Sequence, residues 1–330
     1  MLKRIPPVRT CLLLATLAVT VAPARAEWLL REAPIMGTRC AVELWSEDRA
    51  RGEAAIEAVF TELRRIDALM STYKPESELS RVNAQAARVP VTVSRELYDL
   101  LAVSADYSKL TRGAFDITYA SVGYLYDYRR HVHPDDAAIA AALPGIDYRH
   151  VQLLPQGPAV RFARAGVRID LGGIAKGYAV DRGIEVLRAA GIDRAMVNAG
   201  GDTRIIGDRF GRPWVAGIRH PDDERQVVLR LPITDAAMST SGDYERFFDE
   251  GGVRYHHILD PKTGKSASKV RSVTVIGPTA TRTDALTKSI FIMGAEEGIA
   301  FIDGIEDVDA VVVKPDGKVL YSRGLEAPAG

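Results

Sequence analysis

Cysteine is scarce in this chain, with two among 330 residues. Cys11 lies in the first apolar run and Cys40 stands alone beyond it, which excludes a disulfide framework for the body of the protein. Cys40 falls in an alternating pattern and reads as a small buried residue rather than a reactive thiol. An excess of charge is missing too. Lysines and arginines number 43 against 43 aspartates and glutamates, which leaves no electrostatic footprint for nucleic acid. Beyond the N-terminal segment no apolar run approaches the roughly 20 residues that a bilayer span requires. Repeats of fixed period and low-complexity linkers are absent as well. What remains has the length and apolar content for one large domain or two smaller ones.

The N-terminal segment reads as a signal peptide over residues 1–26. Lys3, Arg4 and Arg9 precede the apolar stretch Cys11–Val21, and Ala24-Arg25-Ala26 supplies a small-x-small cleavage site. The mature chain is expected to begin at Glu27. Cys11 is too far from that site to carry a lipid, so a soluble periplasmic protein is expected. Cleavage removes Lys3, Arg4, Arg9 and Arg25 and no acid. The balance becomes 39 basic against 43 acidic side chains, a net −4.

Periodicity predicts a strand over Thr38–Leu44. It predicts an amphipathic helix over Glu53–Met70, with Ile56, Val59, Phe60, Leu63, Ile66 and Met70 on one face. Pro75 stops that helix, leaving Ser71-Thr72-Tyr73 in its exit. Ser94 reads as the N-cap of a second helix carrying Leu97, Leu100, Leu101 and Leu110 up to Gly113. Strands then dominate: Val151–Leu154, Val160–Phe162, Val167–Asp170, Met196–Asn198, Val215–Ile218, Val227–Leu231 and Val273–Ile276. A helix over Asp284–Met293 follows. Strands Asp309–Val313 and Val319–Ser322 flank the turn Pro315-Asp316-Gly317. Helices early and meandering strands later favour α+β over a doubly wound sheet.

The stretch Asp170-Leu171-Gly172-Gly173-Ile174-Ala175-Lys176-Gly177-Tyr178-Ala179-Val180-Asp181 reads as strand, glycine-rich turn and helix. Glycines let backbone approach a ligand, and a helix N-terminus with a lysine beside it suits phosphate. It matches neither the Walker A loop nor the dinucleotide-binding fingerprint. A tight strand-to-helix connection with a surface lysine accounts for it equally well. Four other clusters stand out. Asn198-Ala199-Gly200-Gly201-Asp202 suits a ligand or a turn. Ser239-Thr240-Ser241-Gly242-Asp243-Tyr244 carries hydroxyls for phosphate or for capping. His256-His257-Ile258-Leu259-Asp260-Pro261 could hold a general base on a rigid loop. Thr283-Asp284-Ala285-Leu286-Thr287-Lys288 places Asp284 and Lys288 on one helix face, as an oxygen site for a hard cation or as an ordinary salt bridge.

Taken in order, these motifs resemble the ApbE family of FAD:protein FMN transferases. The likeness begins at Met36-Gly37-Thr38 and passes through Ser71-Thr72-Tyr73, Ser77–Asn83 and Gly113-Ala114-Phe115-Asp116. It continues through the glycine turn, Asn198–Asp202, Ser241-Gly242-x-Tyr244 and His257-Ile258-Leu259-Asp260-Pro261. It ends at Asp284-Ala285-Leu286 and Phe291-Ile292-Met293-Gly294. The resemblance implies an ApbE-like, T-fold-related α+β domain over 27–330, with N-terminal helices and mixed or antiparallel sheets. It implies FAD contacts at Met36, Tyr73, Ala114, Phe115, Asp116, Asp170 and Ile258, and it sets Lys176 against the pyrophosphate. His257 is the candidate base. The resemblance also implies Mg²⁺ held by Gly173 and Asp284 with a hydroxyl one turn on. The family commonly has Asp-Ala-Leu-x-Thr there. This chain has Lys288 at that place and Thr287 one residue earlier, and a protonated lysine has no lone pair for a metal, so either Thr287 or water takes over as ligand, or Lys288 replaces part of the charge of the cation by pairing with phosphate. The activity implied is transfer of FMN from FAD to a Thr or Ser hydroxyl with release of AMP. Alternatives at the same site are FAD hydrolysis and FAD binding without turnover. The partners implied are exported acceptor proteins with a flavinylation motif, parts of membrane electron-transfer complexes.

Overall fold

A computed structural model describes residues 26–219 and 227–325. The expected signal peptide lies outside them except for its last residue, Ala26. Among the described residues no helix is long and apolar enough to cross a membrane.

One eight-stranded sheet organises the molecule. Its strands are β1 (Glu27–Ile35), β2 (Thr38–Ser46), β3 (Ala195–Ala199), β4 (Asp202–Ile206), β5 (Ala237–Gly242), β6 (Ser272–Gly277), β7 (Asp309–Val313) and β8 (Val319–Tyr321). They lie side by side in that order, and every neighbouring pair is antiparallel. The chain therefore builds the sheet as a meander and leaves it between strands to make helices. Six helices of eight or more residues occur among the described residues: α1 (Arg49–Met70), α2 (Glu78–Gln85), α3 (Arg95–Leu110), α4 (Ala175–Ala189), α5 (Ala280–Met293) and α6 (Ala295–Ile302). The expected α+β class holds, with the sheets antiparallel throughout. The first element among the described residues is a hairpin rather than a helix.

Local chemistry sets these boundaries. Met36 (φ 54°) and Gly37 (φ 69°) form the two-residue turn between Ile35 and Thr38. Positive φ at both central residues is what a tight hairpin turn demands. Helix α1 starts a turn earlier than its periodicity suggests, because Asp48 caps it by accepting from Arg51 N at 3.1 Å. Its predicted apolar face is buried. Ser94 caps α3 as expected. Leu110, by contrast, is exposed, since it lies about 220° around the helix from Leu97.

Helices α1, α4, α5 and α6 pack along the sheet. The main core joins α1, α3, α4 and β1–β4, and a second cluster joins β6, β7, α5 and α6. A hairpin of Trp214–Arg219 and Val227–Ile233 contributes a third cluster around Trp214 with Trp28, Met196 and Met238. Between Phe162 and α4 the predicted strand Val167–Asp170 does not form. Its backbone is bonded by side chains instead. Asn83 receives a bond from Ile169 N and gives one to Ile169 O, both at 2.8 Å, and Ser121 Oγ accepts from Arg168 N at 3.0 Å. An extended segment satisfied in this way needs no neighbouring strand.

Candidate functional site

The glycine turn lies between two carboxylates. Asp170 precedes it. Thr72 Oγ1 donates to Asp170 Oδ2 at 2.8 Å, Tyr119 OH donates to Oδ1 at 3.0 Å, and Gly172 N donates to Oδ1 at 2.7 Å. Burial, with Asp170 alongside, pushes the Tyr119 hydroxyl well above its ordinary pKa, so it remains a donor. Tyr73, next to Thr72, is 83 % exposed, an aromatic face open to solvent at this corner.

On the far side α4 and α5 meet at Gly177. A methyl group there would lie 2.2 Å from the Ala280 carbonyl oxygen and 2.8 Å from Asp284 Cβ. Only glycine permits this approach. It lets Gly177 N donate to Asp284 Oδ2 at 3.1 Å. Four charges gather here. Lys176 Nζ donates to Asp202 Oδ2 at 2.5 Å and sits 3.7 Å from Asp284 Oδ2. Lys288 Nζ donates to Asp284 Oδ1. Both acids are buried, while the lysines keep 22 % and 17 % of their side chains exposed. Burial alone would lower the Lys176 pKa, but Asp202 and Asp284 outweigh it and raise the ammonium above its ordinary value. Burial would raise Asp284, but Lys176 and Lys288 hold it below the usual carboxylate range. For Asp202, burial and then Asp284 prevail, and its pKa is raised. Among the described residues Asp202 Oδ1 has no hydrogen-bond partner.

Asp202 owes its place to the turn preceding it. Ala199 pairs with Asp202 across Gly200-Gly201. Asn198 Nδ2 braces the turn through Gly200 O, Asp202 O and Thr203 Oγ1 at 3.0, 3.2 and 2.8 Å. The cluster is thus a turn that delivers a buried acid to Lys176.

The neighbouring histidines divide sharply. His256 is buried, donates from Nε2 to Ala267 O at 2.6 Å and accepts at Nδ1 from Ile258 N at 3.3 Å. His257 is part-exposed, yet its Nδ1 is buried without a partner among the described residues. Desolvation, with Arg246 and His256 next in weight and then Lys288 and Lys176, pulls its pKa down to about 3. The imidazole is therefore neutral at ordinary pH.

The remaining expected residues scatter more widely. Phe115 is buried near the glycine turn, 3.4 Å from where a Gly173 methyl would be. Ala114 and Ile258 belong to the α5 core, and Met36 is half-buried in the hairpin turn. Asp116 is buried with both oxygens engaged: Oδ1 accepts from Thr118 N at 2.8 Å and Thr118 Oγ1 at 2.5 Å, and Oδ2 accepts from Tyr148 N at 2.8 Å. Thr287 is fully buried. Its hydroxyl donates to Asp284 O at 2.7 Å and accepts from Ser241 Oγ at 2.8 Å. Two residues went unremarked in the sequence. Tyr119 carries no motif of its own, although it follows Asp116 by a single 3-10 turn. Arg246 is exposed and reaches to 3.5 Å from where a Gly37 methyl would be. Only its influence on Lys176 and His257 reveals it.

A meander sheet backed by helices, with two lysines held on buried acids beside a glycine turn, defines an α+β protein. The sequence matches the ApbE family over residues 36–312. It is 36 % identical over 321 residues to the FAD:protein FMN transferase of Treponema pallidum (strain Nichols), covering 92 % of this chain and 89 % of that one. It is 33 % identical to a FAD:protein FMN transferase of Klebsiella pneumoniae (strain 342), covering 88 % and 90 %. The fold resembles the crystal structure of the ApbE protein of Thermotoga maritima, with TM-score 0.84, 33 % identity and coverage of 90 % and 98 %. It also resembles the flavin transferase ApbE of Vibrio cholerae, with TM-score 0.81, 31 % identity and the same coverage. The chain belongs to the ApbE family.

Proposed function

We propose that this protein transfers FMN from FAD to a Thr or Ser hydroxyl of an acceptor protein. The observation that carries this is the pair of ammonium groups, Lys176 and Lys288, held on buried acids beside the glycine turn, in a chain whose relatives are FAD:protein FMN transferases. The dinucleotide pyrophosphate lies against the turn and Lys176. Its flavin end extends to the Asp170 corner, where Tyr73 offers an aromatic face and Asp170 accepts from hydroxyl or ring N–H donors. Met36, Ala114, Phe115, Asp116 and Ile258 shape the walls, and Asp116 does so by fixing the loop through Thr118 and Tyr148.

The acceptor oxygen attacks the phosphorus on the FMN side. The new P–O bond forms as the bond to the AMP oxygen breaks, and AMP leaves with that electron pair. His257 takes the hydroxyl proton as a neutral imidazole. Burial first, and then the neighbouring cations, depress its pKa in the free protein; a bound pyrophosphate, being anionic, offsets the share of the cations and raises it. Such a reaction depends on in-line positioning and charge neutralisation rather than on covalent help.

Magnesium is the expected participant that the residues do not fit. Gly173, Asp284 and Thr287 were the anticipated donors. Here Asp284 Oδ1 is occupied by Lys288 and Oδ2 by Gly177 N with Lys176 beyond. The Thr287 hydroxyl is committed to Asp284 O and Ser241. No step is therefore routed through a metal.

We further place the mature domain at 27–330, exported to the periplasm by the leader, with acceptors carrying a flavinylation motif as exported parts of membrane electron-transfer complexes. Incubation with FAD and such an acceptor domain, followed by intact mass measurement, tests the reading. An acceptor gain of one FMN with matching AMP supports it. FMN and AMP released without acceptor labelling indicate hydrolysis, and intact FAD indicates binding alone.

A further inference from the structure

We propose that the Lys288 ammonium is the resident cation of this site, standing where the family resemblance implies a divalent metal. The inference rests on the FAD-transfer reading for its chemistry, but not for its geometry. Lys288 lies one turn beyond Asp284 on α5 and places its Nζ on Asp284 Oδ1. Its stem crosses the glycine turn: a methyl group at Gly173 would lie 3.5 Å from Lys288 Cγ and 3.9 Å from Cδ. The side chain thus runs through the gap between Gly173 and Asp284, the two elements expected to grip the ion. The side-chain donors expected there, Asp284 and Thr287, are both engaged. Asp284 is fully buried, and its second oxygen already faces Gly177 N and Lys176 Nζ. Thr287 bonds away from the gap, to the α5 backbone and to Ser241 of β5. Magnesium demands near-ideal octahedral oxygen ligation at about 2.0–2.1 Å, and an ammonium seated on Asp284 blocks the one carboxylate among the expected donors.

The replacement retains function of a restricted kind. Lys288 keeps 17 % of its side chain exposed, and its ammonium has three hydrogens, so one can go to a phosphate oxygen while Asp284 Oδ1 accepts another. An ammonium is a compact point charge with three donors, suited to phosphate. It needs no external ion and cannot be removed by a chelator.

Wild type, Lys288→Thr and Lys288→Met are stripped with EDTA and compared in two measurements. The first is Mn²⁺ binding to the protein alone, read by electron paramagnetic resonance. The second is FMN transfer to an acceptor domain, with EDTA or with Mg²⁺. Wild type is expected to leave Mn²⁺ free and to transfer at nearly the same rate in both media. Lys288→Thr opens the gap and restores a hydroxyl, so it binds Mn²⁺. Its transfer in EDTA falls about tenfold to a hundredfold, the scale of one lost charge-assisted hydrogen bond, and Mg²⁺ restores it. Lys288→Met loses activity to a similar extent in EDTA. Wild-type protein that binds Mn²⁺ in a manner abolished by Asp284→Asn, and that stops in EDTA, overturns the proposal. Wild-type protein that transfers nothing in either medium overturns the transfer reading instead, and the Mn²⁺ measurement still decides what occupies the gap.

Discussion

Asp170 and Asp284 flank one glycine turn and are held in opposite ways. Asp170 is half-buried and receives three bonds from neutral donors, the hydroxyls of Thr72 and Tyr119 and the N–H of Gly172. Asp284 is fully buried and meets two ammonium groups and the Gly177 N–H. Neutral donors fix a carboxylate's orientation without cancelling its charge. Ammonium groups cancel the charge, and removing one partner leaves the other exposed to the low dielectric. On the proposed reading the Asp170 corner gives directional recognition of the flavin nucleotide, and the Asp284 corner gives charge balance around the pyrophosphate.

That difference predicts unequal costs. Asp284→Asn takes from Lys288 the carboxylate it sits on and leaves Asp202 as the only acid of the cluster for two lysines, and its destabilisation is expected near the roughly 3–5 kcal/mol typical of a broken buried pair. The double variant Asp284→Asn/Lys288→Met should recover most of it. Denaturant titration measures both, and a loss no greater than that of Asp170→Asn would erase the distinction between the corners. Gly177→Ala comes next. Its methyl cannot be accommodated 2.2 Å from Ala280 O without parting α4 from α5. A loss of about 1–3 kcal/mol is expected, together with lost transfer activity.

His257 sharpens the same contrast through pH. Its folded-state pKa of about 3 lies below the ordinary value of 6.5, so between these values the unfolded chain binds the proton that the folded chain refuses. Stability is therefore full above pH 6.5 and declines as pH falls toward 3, by at most about 1.4 kcal/mol per unit from this one group. His257→Gln should flatten that slope in melting curves recorded across the window. FAD, by bringing negative charge to the lysines, should raise the His257 pKa in a proton NMR titration. A slope unchanged by His257→Gln would show that other groups set it.

Five of the eight strands of the meander and the long helices were legible because burial imposes a period, while Glu27–Ile35, Asp202–Ile206 and Ala237–Gly242 were not expected as strands. The face of α1, the hairpin around Pro315-Asp316-Gly317 and the cap at Ser94 all declare themselves locally. The strand expected at Val167–Asp170 failed because Asn83 and Ser121 satisfy that backbone from a distance, which no local pattern encodes. The site was legible as separate clusters, and resemblance joined them. Two features remained hidden for physical reasons. Whether Lys288 spans the gap depends on the approach of α4 to α5 at Gly177, a tertiary fact. Tyr119 gains its role only when Asp170, far along the chain, folds against it.

The smallest expected effects belong to the neutral corner. Tyr119→Phe removes one hydroxyl from Asp170 Oδ1 but leaves Gly172 N, so the carboxylate keeps a donor on that oxygen. Thr72→Val removes the donor assigned to Oδ2. Each should cost about 0.5–1.5 kcal/mol, the net worth of an ordinary hydrogen bond. Both changes alter direction and not charge. FAD affinity, followed by flavin fluorescence, should therefore weaken by a similar factor at low and high salt. Changes at Lys176 or Lys288 should weaken it more at low salt, where unscreened charge matters most. A Thr72→Val protein whose FAD affinity loss shrank as salt rose would place charge, and not orientation, at the Asp170 corner as well.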